Sequence, residues 1–306
     1  SFGKLSMSFP TTIINLGIPT NVICSEHNLT SASDTNKIFQ EVNKMNKSTK
    51  STLIGALSLA FIFSATPVIA PQMTTTVHAE KAAHNPSKGI YFGFTKGSMP
   101  DGFEAAHGWT NGNPFNVNWY NKNVTFKSGH MQLIIDKDPT KANDVPYSGG
   151  EFRSKDFFGY GRYEVKMKAI KNDGVVSSFF TYTGPSDNNP WDEIDVEILG
   201  KDTTKVQFNY FTDSKGEHEF MYDLGFDASK DFHEYAFEWH KDKIIWFVDG
   251  KEVHSVTKSI PVTKGKIMMN AWAGKNVDEW LKPFKDNNLP LVAEYEWVRF
   301  MPFEDE

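Results

Sequence analysis

The chain has 306 residues, of which 39% are hydrophobic, 14% aromatic and 23% charged, a balance that excludes disordered, collagen-like and multi-span membrane proteins. Against 32 Lys and Arg stand 38 Asp and Glu, a net charge of −6. No basic stripe is present to hold phosphates, so nucleic acid is excluded as a partner.

Residues 1–44 are polar and read as an upstream extension of the working protein, with Met45 as a candidate start. Residues 45–79 read as a secretory signal. Lys44, Lys47 and Lys50 precede the apolar run Leu53–Phe63, and Val68-Ile69-Ala70 and Val77-His78-Ala79 each offer a small residue for cleavage. The run is too short for a membrane anchor, which takes ~20 apolar residues to cross ~30 Å, and Ser64, Thr66 and Pro67 interrupt it. The expected product is a secreted, extracellular domain over 80–306, free of the membrane after cleavage. Cys24 is the only cysteine and precedes the signal, so packing alone is expected to hold the domain.

From about residue 88 the hydrophobic period is two. Tyr163, Val165, Met167 and Ala169 alternate with Glu164, Lys166 and Lys168, and Tyr235, Phe237 and Trp239 alternate with Ala236 and Glu238. The runs 244–248 and 251–256 meet across Asp249-Gly250, a dipeptide suited to the positive φ angles of a two-residue hairpin. Only Val277–Lys285 has room for a short helix. These signs predict one all-β domain, an antiparallel sandwich or barrel. Nothing marks an oligomer interface, and a monomer is the expectation.

Residues 191–199 read Trp-Asp-Glu-Ile-Asp-Val-Glu-Ile-Leu. On a strand, Ile194, Val196 and Ile198 share one face, which puts Glu193, Asp195 and Glu197 on the other. Three carboxylates in line repel one another, and such local conflicts collect at functional sites. Glycoside hydrolysis uses this set: one carboxyl group as nucleophile or base and another as proton donor, ~5–5.5 Å apart in retaining enzymes. Positions i and i+4 lie ~13 Å apart along a strand, but two long Glu side chains leaning over the short Asp195 bring their carboxyl groups toward the retaining distance. A solvated acidic face and a calcium site are the alternatives, although a straight strand aligns its oxygens rather than wrapping an ion. The 9 His contain no His-x-x-x-His pair, and neither a nucleophile elbow nor a phosphate loop is present. Phe180 with Tyr182, Gln207 with Asn209 and Phe211, and Trp272 followed by Trp280 supply flat rings beside amides, a combination that suits sugars.

The stretch Gly184–Tyr210, with Phe158-Gly-Tyr-Gly-Arg-Tyr-Glu-Val and Pro261-Val-Thr-Lys-Gly-Lys-Ile-Met-Met-Asn, resembles the bacterial lichenases, endo-β-1,3-1,4-glucanases of glycoside hydrolase family 16. The resemblance runs from about Asn111 to Phe303. It implies a jelly-roll sandwich whose concave sheet forms an open cleft for a β-glucan polysaccharide. By the same resemblance Glu193 is the nucleophile, Glu197 the general acid/base and Asp195 the assisting carboxylate. Asn111, Glu151, Arg153, Phe180, Tyr182, Trp191, Asn209, Trp272 and Trp280 match substrate contacts. No cofactor is implied for catalysis. A structural calcium belongs to many members, and Glu296 stands where they supply an Asp ligand. The Glu-x-Asp-x-Glu spacing looks like the lichenase branch rather than the β-1,3-glucanase (laminarinase-like) one, which carries an extra residue. A non-catalytic carbohydrate-binding jelly roll is the further alternative. Trp109 and Phe211 replace frequent Tyr residues, and Val117 and Gly149 occupy the positions of a frequent disulfide.

Overall fold

The computed structural model describes residues 89–304. The extension, the signal and Cys24 lie outside the described residues, so the structure bears on the domain from Gly89 onward. Sixteen strands make up about half of it. In chain order they are β1 (Ile90–Gly93), β2 (Phe103–Ala105), β3 (Val117–Trp119), β4 (Val124–Lys127), β5 (His130–Lys137), β6 (Tyr147–Ser154), β7 (Gly161–Lys168) and β8 (Val175–Thr183). Then come β9 (Asp192–Leu199), β10 (Lys205–Phe211), β11 (Phe220–Asp223), β12 (His233–Trp239), β13 (Ile244–Val248), β14 (Lys251–Val256), β15 (Lys266–Ala273) and β16 (Leu291–Pro302). A single helical turn, α1 (Asp278–Leu281), falls inside the segment expected to hold one. Among the described residues no helix is long and apolar enough to cross a membrane.

The period of two in the sequence becomes two faces of each strand. In β7, Tyr163, Val165 and Met167 are fully buried, and in β9 so are Ile194, Val196 and Ile198. These apolar faces close on each other as two layers. One layer, the cleft sheet, runs β11-β10-β9-β8-β15-β6, with β2 beside β6. The other, the back sheet, runs β5-β16-β7-β12-β13-β14, with β4 on β5 and β1 on β16. Pairing of Asp136 with Ser148 and Lys137 with Tyr147 carries β5 into β6 and joins the layers. Most pairings are antiparallel, as anticipated; β3 lies parallel to β6. Val117 and Gly149, at the positions where the family resemblance has a disulfide, are packed neighbours: a Cβ on Gly149 would stand 3.1 Å from Val117 Cγ2.

Between the layers the back sheet supports the acidic strand directly. Trp246 is fully buried and donates its indole N–H to the carbonyl of Asp195 at 3.1 Å. Tyr295 donates to the carbonyl of Ser178, on the neighbouring β8, at 2.9 Å. Phe208 stacks on Trp246 with centroids 5.6 Å apart, and Phe179 meets Phe237 at 5.6 Å. Core packing on one side of β9 therefore fixes the backbone that carries the carboxylates on the other.

The hairpin between β13 and β14 turns as its dipeptide predicts, with φ of 48° at Asp249 and 76° at Gly250. A Cβ at Gly250 would meet nothing within 4 Å, so the cost of substitution there is backbone strain alone. Gly250→Ala is expected to destabilise the domain by about 1–2 kcal/mol in denaturant unfolding. A neutral result would show that the turn relaxes.

Candidate active site

Strand register sets the site. Because paired residues share a face, the pairings draw three rows across the cleft sheet. One row reads Gln207, Glu197, Ser178, Asn270, Glu151. The next reads Asn209, Asp195, Phe180, Met268, Arg153, Glu104. The third reads Phe211, Glu193, Tyr182, Lys266. The three acids thus stand one behind another along β9, each flanked by side chains from the strands on either side.

These rows floor an open cleft of about 600 Å³. Glu193, Asp195 and Glu197 line it together with Asn111, Glu151, Arg153, Phe180, Tyr182, Trp191 and Trp272. The face is not the solvated acidic surface of the bland alternative, since Asp195 is only 5% exposed.

Each acid has its own partner. Trp191 donates its indole N–H to Glu193 Oε2, and Gln207 Nε2 donates to Glu197 Oε2 at 2.7 Å. Trp280, expected to touch sugar, is outside the lining residues. It donates instead to Gln207 Oε1 at 3.0 Å, which fixes the amide so that its NH2 points at Glu197. Asn209 likewise falls outside the lining: it is buried, and its Oδ1 accepts the N–H of Tyr210. Trp191 stacks on Phe211 at 4.6 Å and 12°. The carboxylate of Asp192 ties down this end of β9 by accepting the backbone N–H groups of Asp213, Val262 and Thr263 at 2.8–3.0 Å.

Electrostatics divides the acids. Burial pushes Glu193 up to about 7, opposed by hydrogen bonds from Trp191 and Asp195. Burial followed by the charge of Glu193 pushes Glu197 up to about 8. Asp195 rises well above the carboxylate range through burial and then through Glu193 and Glu197 on either side. All three groups are thus held above the ordinary carboxylate range, Asp195 shares a hydrogen bond with Glu193, and protons stay within the row near neutrality. A pair of acids held this way offers one carboxylate able to attack and one carboxylic acid able to donate.

Sequence reasoning missed several lining residues, among them Ser178, Lys266, Met268 and Asn270. Ser178 Oγ donates to Asn270 Oδ1 at 2.6 Å, and Asn270 Nδ2 donates to Glu151 Oε2 at 3.3 Å, which orients a carboxyl group that burial pushes up to about 7. The signal for Asn270 and Met268 was available: both alternate with buried neighbours two and four residues before Trp272 on one strand. Arg153 is paired with Glu104 at 2.8 Å and lies 4.9 Å from the ring of Trp109, which also lines the cleft.

The metal candidate is placed elsewhere. Glu296 belongs to the back sheet, and its Oε2 lies 2.9 Å from Lys166 Nζ. Among the described residues no group of three or more His, Cys, Asp or Glu gathers.

Comparison with known proteins gives a consistent picture. The family model for Glycosyl hydrolases family 16 matches residues 111–297. A beta-glucanase of Acetivibrio thermocellus is 59% identical over 194 residues, 63% of this chain and 57% of that protein. A xylanase/beta-glucanase of Ruminococcus flavefaciens is 55% identical over 220 residues, 71% of this chain and 27% of that protein. The chain thus spans little more than half of one of these curated relatives and about a quarter of the other. A solved prokaryotic beta-1,3-1,4-glucanase (lichenase) derived from a mouse hindgut metagenome aligns with TM-score 0.67 and 52% identity, covering 70% of this chain and 99% of that one.

Proposed function

The chain belongs to glycosyl hydrolase family 16, and on that premise we propose that it is a secreted endo-β-glucanase that hydrolyses mixed-linkage β-1,3-1,4-glucan with retention. The observation that carries this reading is the row of acids on β9, in which Trp191 holds Glu193 and Gln207 holds Glu197. Glu197 carries the proton that the departing glycosidic oxygen needs, and Glu193 attacks the anomeric carbon from the opposite side of the sugar. The bond to the leaving sugar breaks as the bond to Glu193 forms, giving a covalent glycosyl-enzyme. Glu197, now deprotonated, takes a proton from water, which displaces Glu193 and restores both groups. Asp195 steadies the nucleophile by hydrogen bonding and keeps repulsion within the row low. No cofactor enters these steps, and a monomer suffices for them. Export through residues 45–79 would place the domain where a polysaccharide too large for the cell is met.

An open cleft that runs across the strands suits internal cleavage of a long chain. Product analysis tests specificity and stereochemistry together. Purified protein is expected to depolymerise barley glucan to short oligosaccharides while leaving laminarin intact, with the β-anomer appearing first by proton NMR. Rapid release from laminarin would assign the β-1,3-glucanase activity instead. Initial release of the α-anomer would exclude the covalent route.

A further inference from the structure

The loop between β8 and β9, residues 184–191, ends on the residue that holds Glu193. Its turn closes locally: the N–H of Asp187 donates to Gly184 O at 2.8 Å, and Asn189 Nδ2 donates to Thr183 Oγ1 at 2.9 Å. Asp187 also makes a bond of another kind. Its Oδ1 lies 2.8 Å from Lys266 Nζ, and the two side chains are only 13% and 16% exposed. Lys266 comes from β15, on the far side of β8 from Glu193 in the third row. The ammonium lies 4.9 Å from the Phe157 ring, which shields it further. At the other end of the loop, Trp191 donates to Glu193, stacks on Phe211 and accepts the Ser214 N–H at its carbonyl.

We propose that the Lys266–Asp187 ion pair is a latch that seats the loop so that the Trp191 indole stays on Glu193, making Lys266 and Asp187 positioning residues for the nucleophile. The proposal rests on the reading of Glu193 as nucleophile. The sheet fixes the backbone of Glu193, and the indole N–H acts together with the hydrogen bond from Asp195 to select the orientation of its carboxyl group. A largely buried ion pair contributes little stability of its own, because desolvation offsets its attraction. Its location explains it better: it ties the loop after β8 to β15 of the sheet.

Two variants of the full chain, Lys266→Met and Asp187→Asn, separate this role from a simple field effect. The charged or titratable groups facing Glu193 are Asp195 and Glu197 on its own strand, Tyr182 on β8, Lys266 on β15 and Glu151 on β6. Removing the charge of Asp187 makes Glu193 ionise at lower pH if only the field matters. Releasing Trp191 takes a donor from the carboxylate and makes Glu193 ionise at higher pH. The measurement is carbon-13 NMR of carboxyl-labelled Glu, with the Glu193 resonance assigned by its loss in Glu193→Gln. An upward shift is expected in both variants, with kcat reduced about tenfold to a hundredfold by lost alignment, KM within about twofold, and partial recovery of both readouts in the swap Lys266→Asp with Asp187→Lys. A downward or absent shift in Asp187→Asn would overturn the latch. So would a rise in KM with the titration unmoved, which would make Lys266 a sugar contact, or failure of both variants to fold. The NMR readout needs no turnover. A chain that titrated as expected yet left glucan intact would therefore sink the reading of function and leave the latch standing.

Discussion

Glu193→Gln is expected to abolish turnover, lowering kcat by at least about 10³-fold, while affinity for glucan oligosaccharides stays close to that of the parent. Glutamine keeps the length of the side chain and an oxygen that accepts the Trp191 indole N–H, so the cleft retains its shape. What it lacks is a carboxylate to form the bond to the anomeric carbon. Glu193→Ala separates the roles further when azide is added. With the nucleophile gone, azide enters from the face that Glu193 occupied and Glu197 still protonates the leaving oxygen, so an α-glucosyl azide is expected. In Glu197→Ala the glycosyl-enzyme still forms on activated substrates, and azide displaces Glu193 to give the β-azide. Retention of even a tenth of parental activity on barley glucan by Glu193→Gln, or the same azide anomer from both alanine variants, would reassign the roles.

How far these roles were legible in the sequence depends on the range over which each is set. The alternation in β9 put Glu193, Asp195 and Glu197 on one face because a strand has a strict period of two, and the structure keeps them there. Asp249-Gly250 named its turn for an equally local reason, the positive φ at both positions. The partners of the acids were less legible. That Gln207 stands beside Glu197, or Lys266 in line with Glu193, follows from register across several strands, which the packing of both layers decides. Trp280 and Asn209 show the same limit from the other side. Composition marks an aromatic or an amide near a sugar site, but only the fold shows that one orients Gln207 and the other turns to the backbone of Tyr210. Glu296 was assigned by sequence position, and its pairing with Lys166 depends on β7 lying next to β16.

The site that holds a proton ready near neutrality also weakens the fold, and this yields an expected result with a definite sign. Burial and the charge of Glu193 push Glu197 up to about 8, against an ordinary value of 4.5. Between those two pH values the folded chain binds more protons at this position than the unfolded chain, so the contribution of Glu197 to stability falls as pH rises. Below about pH 4.5 both states are protonated and the penalty vanishes. Glutamine is neutral throughout and carries no such penalty, and its oxygen can still accept from Gln207. Glu197→Gln is therefore expected to be more stable than the parent by about 2–4 kcal/mol at pH 8, with the difference shrinking steadily toward pH 5. Carboxylates on the scaffold act in the opposite sense at lower pH. Asp227, held down by Lys171, Ser229 and Thr203, and Asp173, held down by Lys285, contribute stability that is lost as pH falls below the carboxylate range. The two effects occupy different pH windows, so thermal melts of parent and variant from pH 3 to 9 resolve them: the curves should coincide on the acid side and diverge through neutrality. Parallel curves would mean that Glu197 titrates as an ordinary exposed acid. It would then lack, at neutral pH, the proton that the departing sugar oxygen has to receive.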